Sequence, residues 1–173
     1  MSRTDSKWTA HDMPDQSGRI AVVTGANSGL GLETARLLAA HGARVVMAVR
    51  NTAKGRDAME DISETVPGAQ LELQELDLGS LDSIRSAAEE LHGELDRIDL
   101  LINNAGVMYT PRQKTADGVE MQFGTNHLGH VAFTGQVIDL HTGVGGSRVV
   151  TGSSNGHRIH STIDHDDRQP EKR

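Results

Sequence analysis

Apolar positions along this chain fall into two periods. Short unbroken runs dense in valine, Ile20–Thr24 and Arg44–Val49, read as strands buried on both faces, since a half-solvated strand would alternate apolar with polar residues. Between them Leu30, Thr34, Leu37, Leu38 and His41 recur at helical spacing, and Gly42 supplies a C-terminal stop. A second helix is expected from Thr52 to about Thr65, ended by Pro67-Gly68, followed by a third strand, Gln70–Leu76, leading to Asp77. Leu81, Ile84, Ala88, Leu91 and Leu95 mark a third helix with Ser80 as its cap. Asp99–Asn103 reads as the fourth strand. A long helix is expected over Gly118–His141, weakened by Gly124, Gly129 and Gly135. Gly143–Gly146 reads as a loop and Arg148–Thr151 as the fifth strand. Strands and helices that alternate in this way imply an α/β fold, a doubly wound parallel sheet.

The two ends lack this pattern. Residues 1–18 form a polar arm, which Trp8 and Met13 would pin to the body. Residues 155–173 carry only two isoleucines as large apolar side chains and are expected to be a polar tail that buries little. The 173 residues suit one domain. With 2% aromatic residues, its core has to be built from Val, Ile, Leu, Ala and Met.

Charge and composition narrow the chemistry. A net charge of −7 with no basic run argues against nucleic acid or an anionic membrane as the main partner. The absence of cysteine excludes disulfides, cysteine–zinc sites and thiol catalysis. No apolar run reaches transmembrane length, and Met1–Arg19 lacks the apolar core of a signal peptide, so a cytoplasmic location is the expectation. His127 and His130 lie three apart, and His157, His160 and His165 cluster in the tail. No acid completes a His-Glu-x-x-His pattern, and these imidazoles read as surface or tail groups rather than a metal site.

The densest chemistry lies in Thr24-Gly25-Ala26-Asn27-Ser28-Gly29-Leu30-Gly31, between the first strand and the first helix. A strand that turns through glycines into a helix N-terminus is a phosphate site, because backbone N–H groups approach the anion closely and the positive end of the helix dipole faces it. An ordinary left-handed turn is the plainer reading of the same glycines. Three further motifs follow in order: Asn103-Asn104-Ala105-Gly106 after the fourth strand, Phe123-Gly124-Thr125-Asn126-His127-Leu128-Gly129-His130 in the long helix, and Val149-Val150-Thr151-Gly152-Ser153-Ser154 at the end of the fifth strand.

Together these four motifs resemble the short-chain dehydrogenase/reductase superfamily over nearly all of residues 19–157, most closely its retinol-dehydrogenase-like and protochlorophyllide-reductase-like branch. The resemblance implies a dinucleotide-binding Rossmann domain over 19–154. Within it, Gly25 permits the tight turn, Gly29 the approach of pyrophosphate and Gly31 close helix–strand packing, with Asn27, Ser28 and Leu30 in the same loop. Arg50 ends the second strand, where an NAD-preferring site would carry an acid for the ribose 2′-hydroxyl. A guanidinium there suits a 2′-phosphate, which makes NADP(H) the expected cofactor, with Asn51 and Lys54 adding contact and charge. Asp77 and Leu78 match the position beside the adenine, although Asp77 also suits a helix cap. Asn104, Ala105 and Gly106 would border the cofactor, although Asn104 also suits a plain turn. Of the catalytic residues, Asn126 implies an amide that holds a water in a proton relay, or else a helix Asn bonded to its own backbone. Ser154 would hydrogen-bond the substrate oxygen, with Ser153 the adjacent alternative.

The family's general acid is a tyrosine followed four residues later by a lysine. Tyr109 is the only tyrosine here, it precedes the Asn126 helix, and position 113 is Gln. A positioned acid is worth about 10²–10⁴ in rate. The expectation is therefore the N-terminal portion of an NADP(H)-dependent oxidoreductase acting on a small-molecule carbonyl or alcohol, either a truncated product or part of a longer sequence. The fifth strand would be left as an exposed sheet edge. A non-catalytic NADP(H)-binding module and a degraded remnant are the alternatives. Homo-oligomer formation stays open, since the family often dimerises through the Asn126 helix together with the tyrosine helix.

Overall fold

The computed structural model describes residues 8–154. Among them, five strands form one parallel sheet: β1 (Ile20–Thr24), β2 (Arg44–Val49), β3 (Gln70–Glu75), β4 (Leu100–Asn103) and β5 (Arg148–Thr151), in the order β3-β2-β1-β4-β5. Helices α1 (Gly29–Ala40), α2 (Thr52–Thr65) and α3 (Leu81–Glu94) connect the first four strands. The chain leaves β1 toward β2 on one side and returns beside β1 as β4, so β1 and β4 flank the point where strand order reverses. In open α/β sheets, ligands settle in the crevice outside the C-terminal strand ends at such a point.

Residue alternation divides the sheet into two cores. Ala21, Val23, Val45, Met47 and Val49 point toward α1 and α2, against Ala35, Leu38 and Ile62. Val22, Val46, Ala48 and Leu101 point the other way, against Ile84 and Leu91 of α3 and Phe133 and Val137. This is why β1 and β2 are continuous apolar runs: each of their faces meets a helix layer. Fully burying one such side chain contributes roughly 1.5–3 kcal/mol. The sheet margin differs, with Val149 and Val150 of β5 exposed by 41% and 49%.

At the N-terminal end, Met13 packs on the α1–α2 core, and the Gln16 N–H donates to the His41 carbonyl at 2.8 Å. Trp8 is two-thirds exposed and does not pin the arm. The expected tail, 155–173, with His157, His160 and His165, lies outside the described residues, as do residues 1–7.

The expected long helix over Gly118–His141 is corrected in two ways. It starts at Met121, where the Glu120 carboxylate accepts the Gln122 and Phe123 N–H groups, and it is not one α-helix. A single turn, α4 (Met121–Phe123), passes into a π-helical stretch, Gly124–Leu128, then α5 (Gly129–Val137) and a 3₁₀ turn, Ile138–Leu140. The packing explains the glycines. A Cβ on Gly129 would land on the Leu78 carbonyl oxygen, and one on Gly124 would sit 2.5 Å from the Thr115 methyl. Both helix ends therefore press backbone against neighbouring chain. Gly135 has nothing within 4 Å of its would-be Cβ and simply weakens the helix.

Two buried imidazoles set a pH dependence. His141 is 6% exposed with neither ring nitrogen hydrogen-bonded among the described residues, and burial holds its pKa below the ordinary 6.5. Burial also lowers that of His130. His92 goes the other way, raised by the Ala88 carbonyl and then by Asp139, but its side chain is 36% exposed and solvent screens the effect.

Gly129→Ala is expected to destabilise by at least the ~1–3 kcal/mol typical of overpacking, and Gly135→Ala to stabilise by ~0.5–1 kcal/mol, both read from urea midpoints. Equal shifts for the two variants would contradict the packing of α5 on Leu78. A lowered folded pKa means the unfolded chain binds more protons as pH drops through 6.5. Stability is then full above that value and is lost below it, whereas the His92 contribution is present below 6.5 and fades as pH rises through its raised value. The urea midpoint should fall from about pH 7.5 to about pH 5.5, and His141→Phe should flatten that slope. An unchanged slope would show that His141 does not carry it.

Candidate functional site

The C-terminal ends of the strands carry two adjoining cavities. The first, ≈ 430 Å³, lies over β1 and β2, and the second, ≈ 580 Å³, over β4 and β5. Leu30 and the segment Asn104–Val107 wall both, so the two form one groove. Leu30 is 82% exposed, an isoleucine-sized apolar side chain laid bare at the lip.

The glycine turn builds the floor. Gly25 has φ +68°, in the left-handed region, and a Cβ there would lie 2.9 Å from Ala105 Cα. A Cβ on Gly31 would strike the Gly25 carbonyl oxygen and sit 2.5 Å from the Asn104 amide nitrogen. Helix α1 thus begins in direct contact with the turn and the β4 loop. Its N-terminus is left open: Ser28 makes no side-chain cap, while Asn51 caps α2 through the Lys54 N–H at 3.0 Å and Ser80 caps α3 through the Ser83 N–H. The first N–H groups of a helix have no partner inside it. Asn27, Ser28, Leu30 and Gly31, at the start of α1, line the first cavity, and backbone donors at a positive helix end fit a phosphate or pyrophosphate group.

Arg50 stands at the end of β2 on the rim of the same cavity, exposed. Asn51 does not line it, because its side-chain oxygen is held by the α2 cap. Gly29 is also off the lining, with open space around it. Asp77 and Leu78 form the far wall. Asp77 Oδ1 accepts the Gly79 N–H at 2.8 Å and Ser80 caps α3, so Asp77 braces a turn before the helix. Asn104 is no plain turn residue: its Nδ2 donates to the Thr24 carbonyl at 3.0 Å, tying the β4 loop to β1.

In the second cavity Asn126 lies within the π-helical stretch, exposed. Its amide bonds neither to its own helix nor to solvent alone. Nδ2 donates to the Val107 carbonyl and Oδ1 accepts the Val107 N–H, each at 2.8 Å. Any water held by this amide has only the remaining Nδ2 proton and Oδ1 lone pair. Ser153 and Ser154 follow β5 and line the opposite wall with Gly152. Tyr109 sits in the loop beyond Val107, 88% exposed and with φ 55°. His127 stacks on Phe123 with ring centroids 5.4 Å apart, while His130 turns inward, so the pair does not converge on one point.

Sequence reasoning missed three groups here. Thr24 Oγ1 accepts the Asn104 and Ala105 N–H groups, each at 3.0 Å. His130 contacts the same hydroxyl, also at 3.0 Å. Asn103 donates to Thr134 Oγ1 but keeps a buried Oδ1 with no partner among the described residues. Each lies inside a quoted motif, but no sequence signal marks a hydrogen bond between residues some 80 or 106 positions apart.

Comparison with known proteins fits this geometry. The family model for short chain dehydrogenase matches residues 19–162. Mouse retinol dehydrogenase 11 is 46% identical over 142 residues, 82% of this chain and 45% of its own length. Human retinol dehydrogenase 12 is 44% identical over 156 residues, 90% of this chain and 49% of its own length. The chain therefore spans about half the length of the curated relatives it matches. Among solved structures, an uncharacterized protein from Mycobacterium Paratuberculosis superposes with TM-score 0.83 at 45% identity, covering 97% of this chain and 57% of that one. The Pseudomonas aeruginosa RhlG/NADP active-site complex gives 0.63 at 28% identity, covering 73% and 49%. The chain belongs to the short-chain dehydrogenase family, in its retinol-dehydrogenase-like branch.

Asn126→Leu removes both clasps on Val107. The Val107 amide should exchange with solvent about fivefold faster, as for loss of a hydrogen bond worth ~1 kcal/mol, while amides in β1 are unaffected. Unchanged exchange at Val107 would mean that Asn126 does not hold this wall.

Proposed function

We propose that this member of the short-chain dehydrogenase family holds NADP(H) along the groove and serves an oxidoreductase reaction at a carbonyl or alcohol carbon. The observation that carries the reading is the shared border of Arg50 and the uncapped α1 N-terminus on one cavity at the strand-order reversal. The two features suit the two anionic parts of such a cofactor: backbone N–H groups for the pyrophosphate, and a guanidinium fork for the 2′-phosphate. That a structural relative is an NADP active-site complex supports the same choice. Asp77 and Leu78, on the far wall, suit the adenine: a carboxylate to accept from its amine and an apolar side chain to pack beside the ring. Asn104, Ala105 and Gly106 shape the passage between the cavities.

When bound, the nicotinamide supplies or accepts the hydride. The residues of this chain orient the substrate around it. Ser154, with Ser153 beside it, offers a hydroxyl to the substrate oxygen, where charge develops during transfer. Asn126 keeps the opposite wall in place through Val107. The retinol dehydrogenase relatives make a retinol-like alcohol the first substrate to assay.

Calorimetric titration of the folded chain with NADPH and with NADH is expected to give saturable, NADPH-selective binding. Arg50→Asp should remove the 2′-phosphate grip and reverse the preference toward NADH. No binding of either cofactor by soluble, folded chain would overturn the cofactor reading. An unaltered NADPH/NADH affinity ratio in Arg50→Asp would remove Arg50 from it.

A further inference from the structure

We propose that His130 is a positioning residue, held as the neutral Nδ1–H tautomer, which orients the Thr24 hydroxyl and thereby ties the end of β1, the Asn104–Ala105 turn and the Asn126 helix into one junction. The inference extends the site described above and rests on the cofactor reading only for its last readout.

The tautomer follows from two independent constraints that meet in one ring. On one side, Nδ1 lies 3.0 Å from the Asn126 main-chain carbonyl oxygen, which can only accept, so Nδ1 carries a proton. On the other, Nε2 lies 3.0 Å from Thr24 Oγ1. That hydroxyl has one proton and two lone pairs, and both lone pairs are taken by the Asn104 and Ala105 N–H groups. Toward His130 it can therefore only donate, so Nε2 is bare. The other tautomer would set two acceptors against each other at Asn126 and two donors at Thr24. An imidazolium would aim an N–H at an oxygen with no lone pair left. The ring is 5% exposed, so solvent does little to relieve either conflict.

Without His130 as acceptor, the alternative outlet for the Thr24 proton is the Ile102 carbonyl, a long 3.4 Å away. The imidazole thus points the hydroxyl proton away from the turn and its lone pairs toward it. Asn126, four residues earlier on the same helical segment, clasps Val107 through its amide. His130 and Asn126 between them hold both ends of the Asn104–Val107 wall shared by the two cavities.

The test uses the full chain without cofactor, then with it. A long-range 15N–1H correlation spectrum, with His130 assigned by comparison with His130→Phe, should show the proton on Nδ1 and none on Nε2. An Nε2–H tautomer or a charged ring at neutral pH would overturn the proposal. In hydrogen exchange, Thr24→Val and His130→Phe should each speed exchange at the Asn104 and Ala105 amides, by about tenfold for Thr24→Val, while Thr24→Ser retains protection. His130→Phe in the Thr24→Val background should add nothing further, since His130 acts through that hydroxyl. Additive losses, or full protection in His130→Phe, would overturn it. If His130→Phe does not fold, His130→Asn supplies the assignment, and the wild-type tautomer together with the Thr24→Ser and Thr24→Val pair still decides. Where the wild-type chain binds NADPH, folded His130→Phe should bind it several-fold more weakly with the NADPH/NADH ratio unchanged, because Arg50 is untouched; unchanged affinity would count against the proposal. Failure of the wild-type chain to bind cofactor would sink the cofactor reading alone, since the tautomer and exchange readouts need no cofactor.

Discussion

The Thr24 hydroxyl is the point at which this structure is knotted. It stands at the end of the central strand, fully buried, and two backbone N–H groups from the β4 loop converge on its oxygen. A buried backbone donor with no acceptor costs about 1–3 kcal/mol, so this one oxygen decides whether the loop can lie against β1 at all. Every later feature of the groove inherits the result. Asn104 reaches back to the Thr24 carbonyl, Ala105 closes on Gly25, and Gly31 fits into the remaining gap. A serine would keep that chemistry and a valine of the same shape would not.

Close backbone approach is the second organising constraint, and it explains where the glycines stand. Gly25 and Gly31 let α1 start against the β4 loop, and Gly129 lets α5 start against Leu78. The first turn of α1 has no side-chain cap among the described residues, whereas α2 and α3 have one. The groove is therefore polar where the backbone opens and apolar where Leu30, Val107 and Met108 face it. A charged, planar ligand with an apolar end suits such a surface better than a wholly apolar or wholly ionic one.

The strands were legible because burial on both faces writes itself into consecutive residues. Ile20–Thr24 and Arg44–Val49 have the limits that their buried apolar runs imply; Arg148–Thr151 also has its expected limits although its residues are exposed, and β3 and β4 differ from expectation by one residue at an end. Ser80 was legible as a cap because capping is local, between residues three apart. The Asn126 helix was not read correctly. Its apolar spacing suggested one long helix from Gly118, but the helix begins at Met121 and passes through a π-helical stretch at Gly124–Leu128, where Gly124 and Gly129 lie against Thr115 and Leu78 from other parts of the chain. Nothing in a hydrophobic pattern reports such contacts. Trp8 misled for the converse reason: a large apolar side chain implies burial only when something lies above it.

Sequence alone determined the α/β alternation, the glycine turn before a helix, the family and the polar character of the strand-end residues, because each depends on neighbours within about one helical turn or on direct motif likeness. Tertiary structure alone decided which of those residues work together. It engaged Asn51 in its own helix cap, turned the Asn126 amide onto Val107, drew Asp77 into a turn, and set His130 on the Thr24 hydroxyl across 106 residues of chain. A hydrogen bond requires its partners within about 3 Å and in line, and only the packed sheet and helices bring residues so distant in sequence to that distance.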